Sequence, residues 1–389
     1  MSKDIKDFKG NFYPNQYEQD AKLDINHNYL FEQFQDHDKI LKKIKEVVIK
    51  GDFTLGSTVD EVEKDYASLC GTKHAIGVGS GTDALFLSLK TLGVKEGDEV
   101  ITTPFTFFAT VGAIVTAGAK PVFVDCGLDL NINPDLIEAA ISNKTKAIMP
   151  VHWSGRPCDM DKINKTASQF GIPVIEDACH AIQATYKNRP AGSLGNFGCF
   201  SFHPLKNLNV WGDGGIITTD SDEHAKHLKL IRNHGLIGRN ECAEFGYNSR
   251  LDTVQAVVVK HMLQKINHIT DSRINNALYL DNGLKGIEQI ILPERNEELK
   301  EVFHLYMFRA ENRDQLQKFL ISNNVDAKVH YPIPMHLQIA AKKYGYKEGD
   351  FPVCEKAGKS VISLPVHEFV SQSQLDKVIE LIQNFYSEK

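Results

Sequence analysis

The chain has 389 residues, 42% hydrophobic and 24% charged, with a formal net charge of −6. That balance suits a globular protein with one large and one smaller domain, and an acidic chain without a Lys/Arg stripe is a poor nucleic-acid binder. Its seven cysteines, odd in number and without a C-x-x-C pair, argue against zinc or disulfide frameworks and fit a reducing cytoplasm.

Residues 1–28 are polar, lack the apolar core of a signal peptide, and read as an N-terminal arm. No later run approaches the ~20 apolar residues of a membrane span. Helical spacing follows over 29–50 and 59–69. A short apolar run at 75–78 stops at Gly79-Ser80-Gly81-Thr82 and leads into a helix over 83–92. Further strands are expected at 99–102, 120–124, 147–151, 174–176, 198–201 and 215–219, with helices at 108–117, 133–141 and 160–170 between them. Most of these strands are solidly apolar, the pattern of strands covered on both faces, so the fold class is α/β with a mostly parallel sheet. From about residue 266 the texture changes. A long polar helix leads to 302–309, a helix over 313–323, a run at 325–331 and a last helix over 373–386, a smaller α+β unit.

Three places carry chemistry. Gly79-Ser80-Gly81-Thr82-Asp83 is a glycine-rich turn between a strand and a helix, which exposes backbone N–H groups at the positive helix end. Taken alone it could equally be a plain helix start. Val174-Ile175-Glu176-Asp177 is a buried strand ending in two carboxylates, and such an end faces the ligand crevice of an α/β sheet. Phe200-Ser201-Phe202-His203-Pro204-Leu205-Lys206-Asn207 puts a lysine in a turn after a strand, ahead of Gly212-Asp213-Gly214-Gly215. A solvated surface lysine is the plain alternative. The order, phosphate loop, strand-end acid and lysine, with 29 residues from Asp177 to Lys206, is that of fold type I enzymes that use pyridoxal phosphate (PLP).

From about residue 29 to 386 the chain resembles the DegT/StrS-type sugar aminotransferases. The matching landmarks include Ser80-Gly81-Thr82-Asp83-Ala84-Leu85, Pro150-Val151-His152, Glu176-Asp177-Ala178, Ala191-Gly192-Ser193-Leu194-Gly195, Lys206-Asn207 and Gly246-Tyr247-Asn248-Ser249-Arg250. The resemblance implies an N-terminal arm (1–28), a PLP-binding large domain (29–265) with a mixed, mostly parallel sheet, and a C-terminal small domain (266–389). It implies Lys206 as the Schiff-base lysine and proton shuttle, Asp177 at the pyridine nitrogen, and His180 near the phenolic oxygen. It puts Phe107 on the ring, and Gly81, Thr82 and Ser201 at the phosphate. It makes Asn248 a residue that reaches the partner's phosphate, and hence the protein a homodimer.

The same resemblance implies a ping-pong transfer from an amino acid, L-glutamate, to a nucleotide-linked keto-deoxysugar, and the composition adds the expectation that no metal, nucleic acid or membrane is involved. Tyr331-Pro332-Ile333-Pro334-Met335-His336-Leu337-Gln338 is similar to members acting on 3-keto rather than 4-keto sugars, which puts His330, Tyr331 and His336 near the sugar. Trp153-Ser154-Gly155-Arg156 stands where many members have Leu-Tyr-Gly-Gln. There Arg156 could meet an acidic group and Trp153 a ring, unless the stretch is only an altered turn. Alternatives are a PLP-dependent dehydratase, an aminotransferase of a free keto-sugar or inositol ketone, and a non-catalytic sensor. Lys206 fills the lysine position that dehydratases of this family replace with histidine.

Overall fold

The computed structural model describes residues 23–387. Most of the arm expected over 1–28 therefore lies outside the described residues.

Seven strands form the central sheet: β1 (His74–Val78), β2 (Glu99–Thr102), β3 (Lys120–Phe123), β4 (Thr145–Ile148), β5 (Ile175–Asp177), β6 (Phe197–Ser201) and β7 (Gly215–Thr219). Their order is β1-β7-β6-β5 and β4-β2-β3, and the parallel bridges Ile148↔Val174 and Val151↔Asp177 join β4 to β5. All neighbours run parallel except β7, which is antiparallel to both β1 and β6. The sheet is thus mixed and mostly parallel. Strands β1, β5, β6 and β7 are buried along nearly their whole length, which is why their sequences lack alternation.

Helices cover the sheet, among them α1 (His37–Lys50), α2 (Ser57–Cys70), α3 (Gly81–Thr91), α4 (Phe108–Thr116) and α5 (Met160–Phe170). The helix expected over 29–50 is two pieces, because the chain turns at Phe34–Asp36 between Leu30–Gln33 and α1. The helix expected over 133–141 is a 3-10 turn at Pro134–Leu136 and a single turn at Ile137–Ala140.

The C-terminal part has its own hydrophobic grouping around Ala277, Tyr306, Leu316, Val325, Ile362 and Ile382. Its sheet pairs β8 (Tyr306–Ala310) with β9 (Val361–Leu364) and with a two-residue strand at Ile290–Ile291, all antiparallel. Helix α6 (Ile266–Leu284) joins the two groupings: Ile266 and Ile269 pack with the large sheet's helices, Ala277, Leu280 and Leu284 with the C-terminal core. The run at 325–331 is no strand. It makes single bridges only, Ile25↔Val325 and Lys328↔Ser363. Residues 24–29 therefore sit on the C-terminal unit, with Ile25 in its core. Among the described residues no helix is long and apolar enough to cross a membrane.

Candidate active site

The topology brings the three chemical motifs to one sheet edge. Strands β1, β5 and β6 point the same way, so Gly79-Ser80-Gly81, Asp177 and Ser201 emerge together at their C-terminal ends. Gly215, which opens β7, pairs with both Val78 and Ser201. A Cβ on Gly215 would lie 2.3 Å from the Ser80 carbonyl oxygen, and one on Gly81 2.5 Å from the Ser201 Cβ. Glycine at both positions is what lets the strands and α3 close into a cradle. Ser80 caps α3 by accepting from the Asp83 N–H at 3.0 Å. The N–H groups of Gly81 and Thr82 are left as the orphans of a helix start.

Beside the cradle opens a cavity of about 750 Å³. Among its lining residues are Gly81, Thr82, Phe107, Asp177, His180, Ser201, Lys206, His330 and Tyr331. Nine of the thirteen residues singled out from the sequence thus share one chamber.

The two acids ending β5 part ways because successive strand residues face opposite sides. Asp177, only 4% exposed, faces the cavity. Its Oδ2 accepts from the Thr110 hydroxyl at 2.7 Å and its Oδ1 from the Cys179 N–H at 3.2 Å. Thr110 is itself 2.7 Å from the Thr106 hydroxyl. Glu176 faces away. Its carboxylate accepts from the N–H groups of Gly192, Leu194 and Gly195 at 2.7–2.8 Å, and lies 2.8 Å from His152 Nε2. The Cys158 N–H donates to His152 Nδ1 at 3.1 Å, so the imidazole proton is on Nε2 and is given to Glu176. Glu176 is a loop anchor, not a ligand group.

Lys206 sits in the turn after β6, its N–H bonded to the His203 carbonyl at 2.8 Å. Burial pulls its ammonium below the ordinary lysine range, while Cys179 and Asp177 pull the other way. His180 is pushed well below the usual imidazole range by burial, then by Lys206 and His330. It is therefore neutral, and the Ser154 N–H donating to its Nδ1 at 3.3 Å places its proton on Nε2. The His304 ring lies over it with centroids 4.2 Å apart. Phe107 stands at the N-terminus of α4, 47% exposed, with its ring T-shaped to Phe108 at 5.5 Å and to Tyr331 at 6.1 Å.

The structure sets four expected residues apart from the cavity wall. Arg156, expected at the sugar, instead donates to Glu301 at 2.9 Å and to the Glu294 carbonyl at 2.7 Å. Trp153 is buried behind the wall, edge-on to Tyr331 at 4.7 Å and to Phe105 at 5.1 Å. His336 is buried and paired with Glu355 at 3.0 Å. Asn248 is exposed in a surface loop that also holds Phe245. Conversely, sequence reading misses Thr110, His304, Arg273 and the segment His27, Asn28 and Tyr29, all of which line the cavity. Only Thr110 left a trace: it lies one helical turn after Thr106, beside the expected stacking phenylalanine.

The residues fit pyridoxal phosphate. A carboxylate waits for the ring nitrogen, an imidazole N–H for the phenolic oxygen, an aromatic face for the ring, a helix start for the phosphate and an amine for the aldehyde. A Cβ at Gly81 would crowd the cradle, 3.0 Å from the Ser201 hydroxyl oxygen. Elsewhere, Asp125, Cys126 and Cys354 gather within 4.8 Å. The Asp125 oxygens already accept from the N–H groups of Cys126, Val353 and Cys354, which leaves that carboxylate poorly disposed toward a cation.

Comparison with known proteins agrees with this chemistry. The model of the DegT/DnrJ/EryC1/StrS aminotransferase family matches residues 35–383. A pleiotropic regulatory protein of Geobacillus stearothermophilus is 42% identical over 94% of this chain and 98% of its own. The UDP-2-acetamido-2-deoxy-3-oxo-D-glucuronate aminotransferase of Pseudomonas aeruginosa is 39% identical over 89% of this chain and 96% of its own. The crystal structure of S. venezuelae DesV in complex with a ketimine intermediate superimposes with a TM-score of 0.91 at 35% identity, covering 93% of this chain and 98% of that one.

Proposed function

Because the chain belongs to the DegT/DnrJ/EryC1/StrS aminotransferase family and its cofactor is pyridoxal phosphate, we propose that it moves an amino group from L-glutamate to carbon 3 of a nucleotide-linked keto-deoxysugar. The observation that carries this reading is the joint presence of Lys206, Asp177 and His180 in one cavity of about 750 Å³, room for a cofactor and a sugar together. Support for the 3-position comes from the Pseudomonas aeruginosa relative, whose name specifies a 3-oxo sugar.

When bound, pyridoxal phosphate supplies an aldehyde carbon that takes the nitrogen and a ring that withdraws electrons from the carbon losing its proton. Asp177, held by Thr110, would keep a proton at the ring nitrogen. His180 Nε2–H would donate to the phenolic oxygen. Gly81, Thr82 and Ser201 would hold the phosphate, and Phe107 would cover one ring face. Lys206 would carry the cofactor and then take the donor's α-proton, a task that suits an amine whose charge burial disfavours. His330 Nδ1 lies 2.7 Å from the Ser363 hydroxyl, whose own proton goes to the Lys328 carbonyl at 3.1 Å. His330 is therefore the donor there, and its bare Nε2 suits a sugar hydroxyl. Tyr331 would pack on the sugar.

We further propose a cytoplasmic homodimer in which Asn248 reaches the partner's phosphate. Phe245 is 99% exposed in the same loop, with Ile237 also exposed, an apolar surface that suits burial against a second copy. The separate hydrophobic groupings around the central sheet and around Tyr306 and Ile362 support a division into 29–265 and 266–389, with residues 24–28 attached to the second, and a further grouping of Phe105, Trp153, Leu305 and Met335 packs the two against each other. The regulatory name of the Geobacillus stearothermophilus relative is compatible with an enzyme whose product matters for regulation, since this chain keeps its lysine and strand-end acid.

The test is spectroscopic. Purified protein given pyridoxal phosphate should show the near-visible band of lysine-linked cofactor. L-glutamate should convert that band to the pyridoxamine form, and a nucleotide-linked 3-keto sugar should restore it. Lys206→Ala should bind cofactor without the linked band. A wild-type protein with no such band refutes the assignment of Lys206. A band that no amino donor moves refutes transamination.

A further inference from the structure

Arg273 has no role in the proposal above, yet it is the most unusual cation in the cavity wall. It projects from α6 and is only 3% exposed. Its Nη1 donates to the Phe303 carbonyl at 3.0 Å and, at 3.4 Å, to that of His304. Its Nη2 donates to the Tyr29 hydroxyl. The Nε–H is buried without an acceptor. Among the described residues Arg273 forms no ion pair, and the acceptors it meets are all neutral. A buried guanidinium without a bonded counter-ion is costly: its neutral acceptors and the Tyr29 ring offset part of its removal from water, the Glu368 carboxylate acts on Tyr29 without bonding to Arg273, and an arriving opposite charge would offset more.

Tyr29 passes this charge on to the cavity. Its oxygen accepts from Arg273, so its own hydroxyl hydrogen remains to be donated, and Tyr29 is 5% exposed in the cavity wall. The ring is locked in place: it stacks on His367 with centroids 4.3 Å apart and lies under the Arg273 guanidinium at 5.2 Å. Burial pushes the phenol up to about 12, so it stays a donor at neutral pH. Its backbone is pinned by its neighbours. Ile25 N–H donates to the Asn324 carbonyl at 3.1 Å, and His27 N–H to Asp326 at 3.1 Å.

The pair also lies close to the reacting centre. The His304 carbonyl meets Arg273, the His304 ring covers His180, and His304 Nδ1 is 3.4 Å from Asn207, next to Lys206. An anion met here must be small and attached near the reacting carbon. A planar carboxylate fits a guanidinium and a phenol better than a diphosphate, which would need more cations and an open channel.

We propose that Arg273 and Tyr29 form a carboxylate subsite, with the Tyr29 hydroxyl donating to a carboxylate that the substrate carries and Arg273 supplying the opposite charge. The carboxylate comes either from the amino donor or from an acidic sugar ring. The proposal rests on the aminotransferase reading.

The test uses the holoenzyme and Tyr29→Phe, which keeps the stacking on His367 and removes one hydroxyl. Conversion of the lysine-linked band is followed with three amino compounds: L-glutamate, a UDP-linked 3-amino glucose, and its glucuronate counterpart. The half-saturating concentration for the carboxylate-bearing partner should rise about tenfold, the loss expected for one hydrogen bond to a charged group. A rise confined to glutamate assigns the subsite to the donor, and one confined to the glucuronate assigns it to the sugar. An equal change with all three compounds, or none, overturns the proposal. Wild-type enzyme that converts none of the three refutes the aminotransferase reading itself, a separate result.

Discussion

Glu176 and Asp177 are neighbours with the same charge, and only their side of the strand separates an anchor from a cofactor ligand. The sequence shows that two acids end a buried strand, and alternation alone says they diverge. Which one faces the crevice is decided by the loop 191–195, whose N–H groups gather on the Glu176 carboxylate. Thr110 was not legible in the same way, because it lies 67 positions from Asp177 in the chain and meets it only in space. Its hydroxyl is the side-chain donor that aims Asp177. Thr110→Val, close in shape but without the hydroxyl, should raise the dissociation constant for pyridoxal phosphate about tenfold, from a net ~1.5 kcal/mol for a hydrogen bond to a charged group. Titration of apoprotein with cofactor, followed by absorbance, measures this, and an unchanged constant would show that Asp177 is aimed by the backbone alone.

At the scale of elements, the strands of the central sheet were legible because burial on both faces leaves unbroken apolar runs. The places that were not legible are those where distant backbone decides. The segment 325–331 is apolar enough for a strand, but its neighbours offer single bridges to Ile25 and Ser363 rather than a ladder. The segment 24–29 looks polar and arm-like, yet Ile25 is buried in the C-terminal core and Tyr29 in the cavity wall. The start of α3 was readable as an anion site in principle, and β6 and β7 make it one by closing on its glycines. Gly81→Ala would set a Cβ 2.5 Å from the Ser201 Cβ and 3.1 Å from Cys179 Sγ. Overpacking of this kind costs roughly 1–3 kcal/mol. The specific expectation is loss of phosphate recognition: the preference for pyridoxal phosphate over pyridoxal should fall about tenfold or more, given the worth of hydrogen bonds to a charged group. Binding titrations with both compounds decide the matter, and a variant that kept the full preference would place the phosphate elsewhere.

On the scale of the whole molecule, the cavity between the two units is unusual in its histidines. His27, His180, His203, His304, His330 and His367 all line it. Burial holds His27 down to about 4 and His330 and His367 to about 3, each from an ordinary 6.5. Neutral imidazoles offer both a donor and an acceptor, which suits a polyhydroxylated ligand. Their cost appears in the stability of the fold. Once the chain unfolds, each titrates near its ordinary value, so below about pH 6.5 the unfolded state binds protons that the folded state does not. The cost is absent above that pH and grows as pH falls toward about 4, where His27 titrates in the fold as well. Three such groups give a slope of at most about 4 kcal/mol per pH unit, and partial opening of the cavity to water would lower it. The guanidinium midpoint of the apoprotein should therefore hold nearly level from pH 7.5 to about 6.5 and drop from there to pH 5. His367→Gln should flatten that slope, since His367 is the most enclosed of the three and packs directly on Tyr29. A midpoint that stays level between pH 6.5 and 5 would mean the histidines gain protons without unfolding, so that the cavity opens to water as a unit while the hydrophobic cores stay folded.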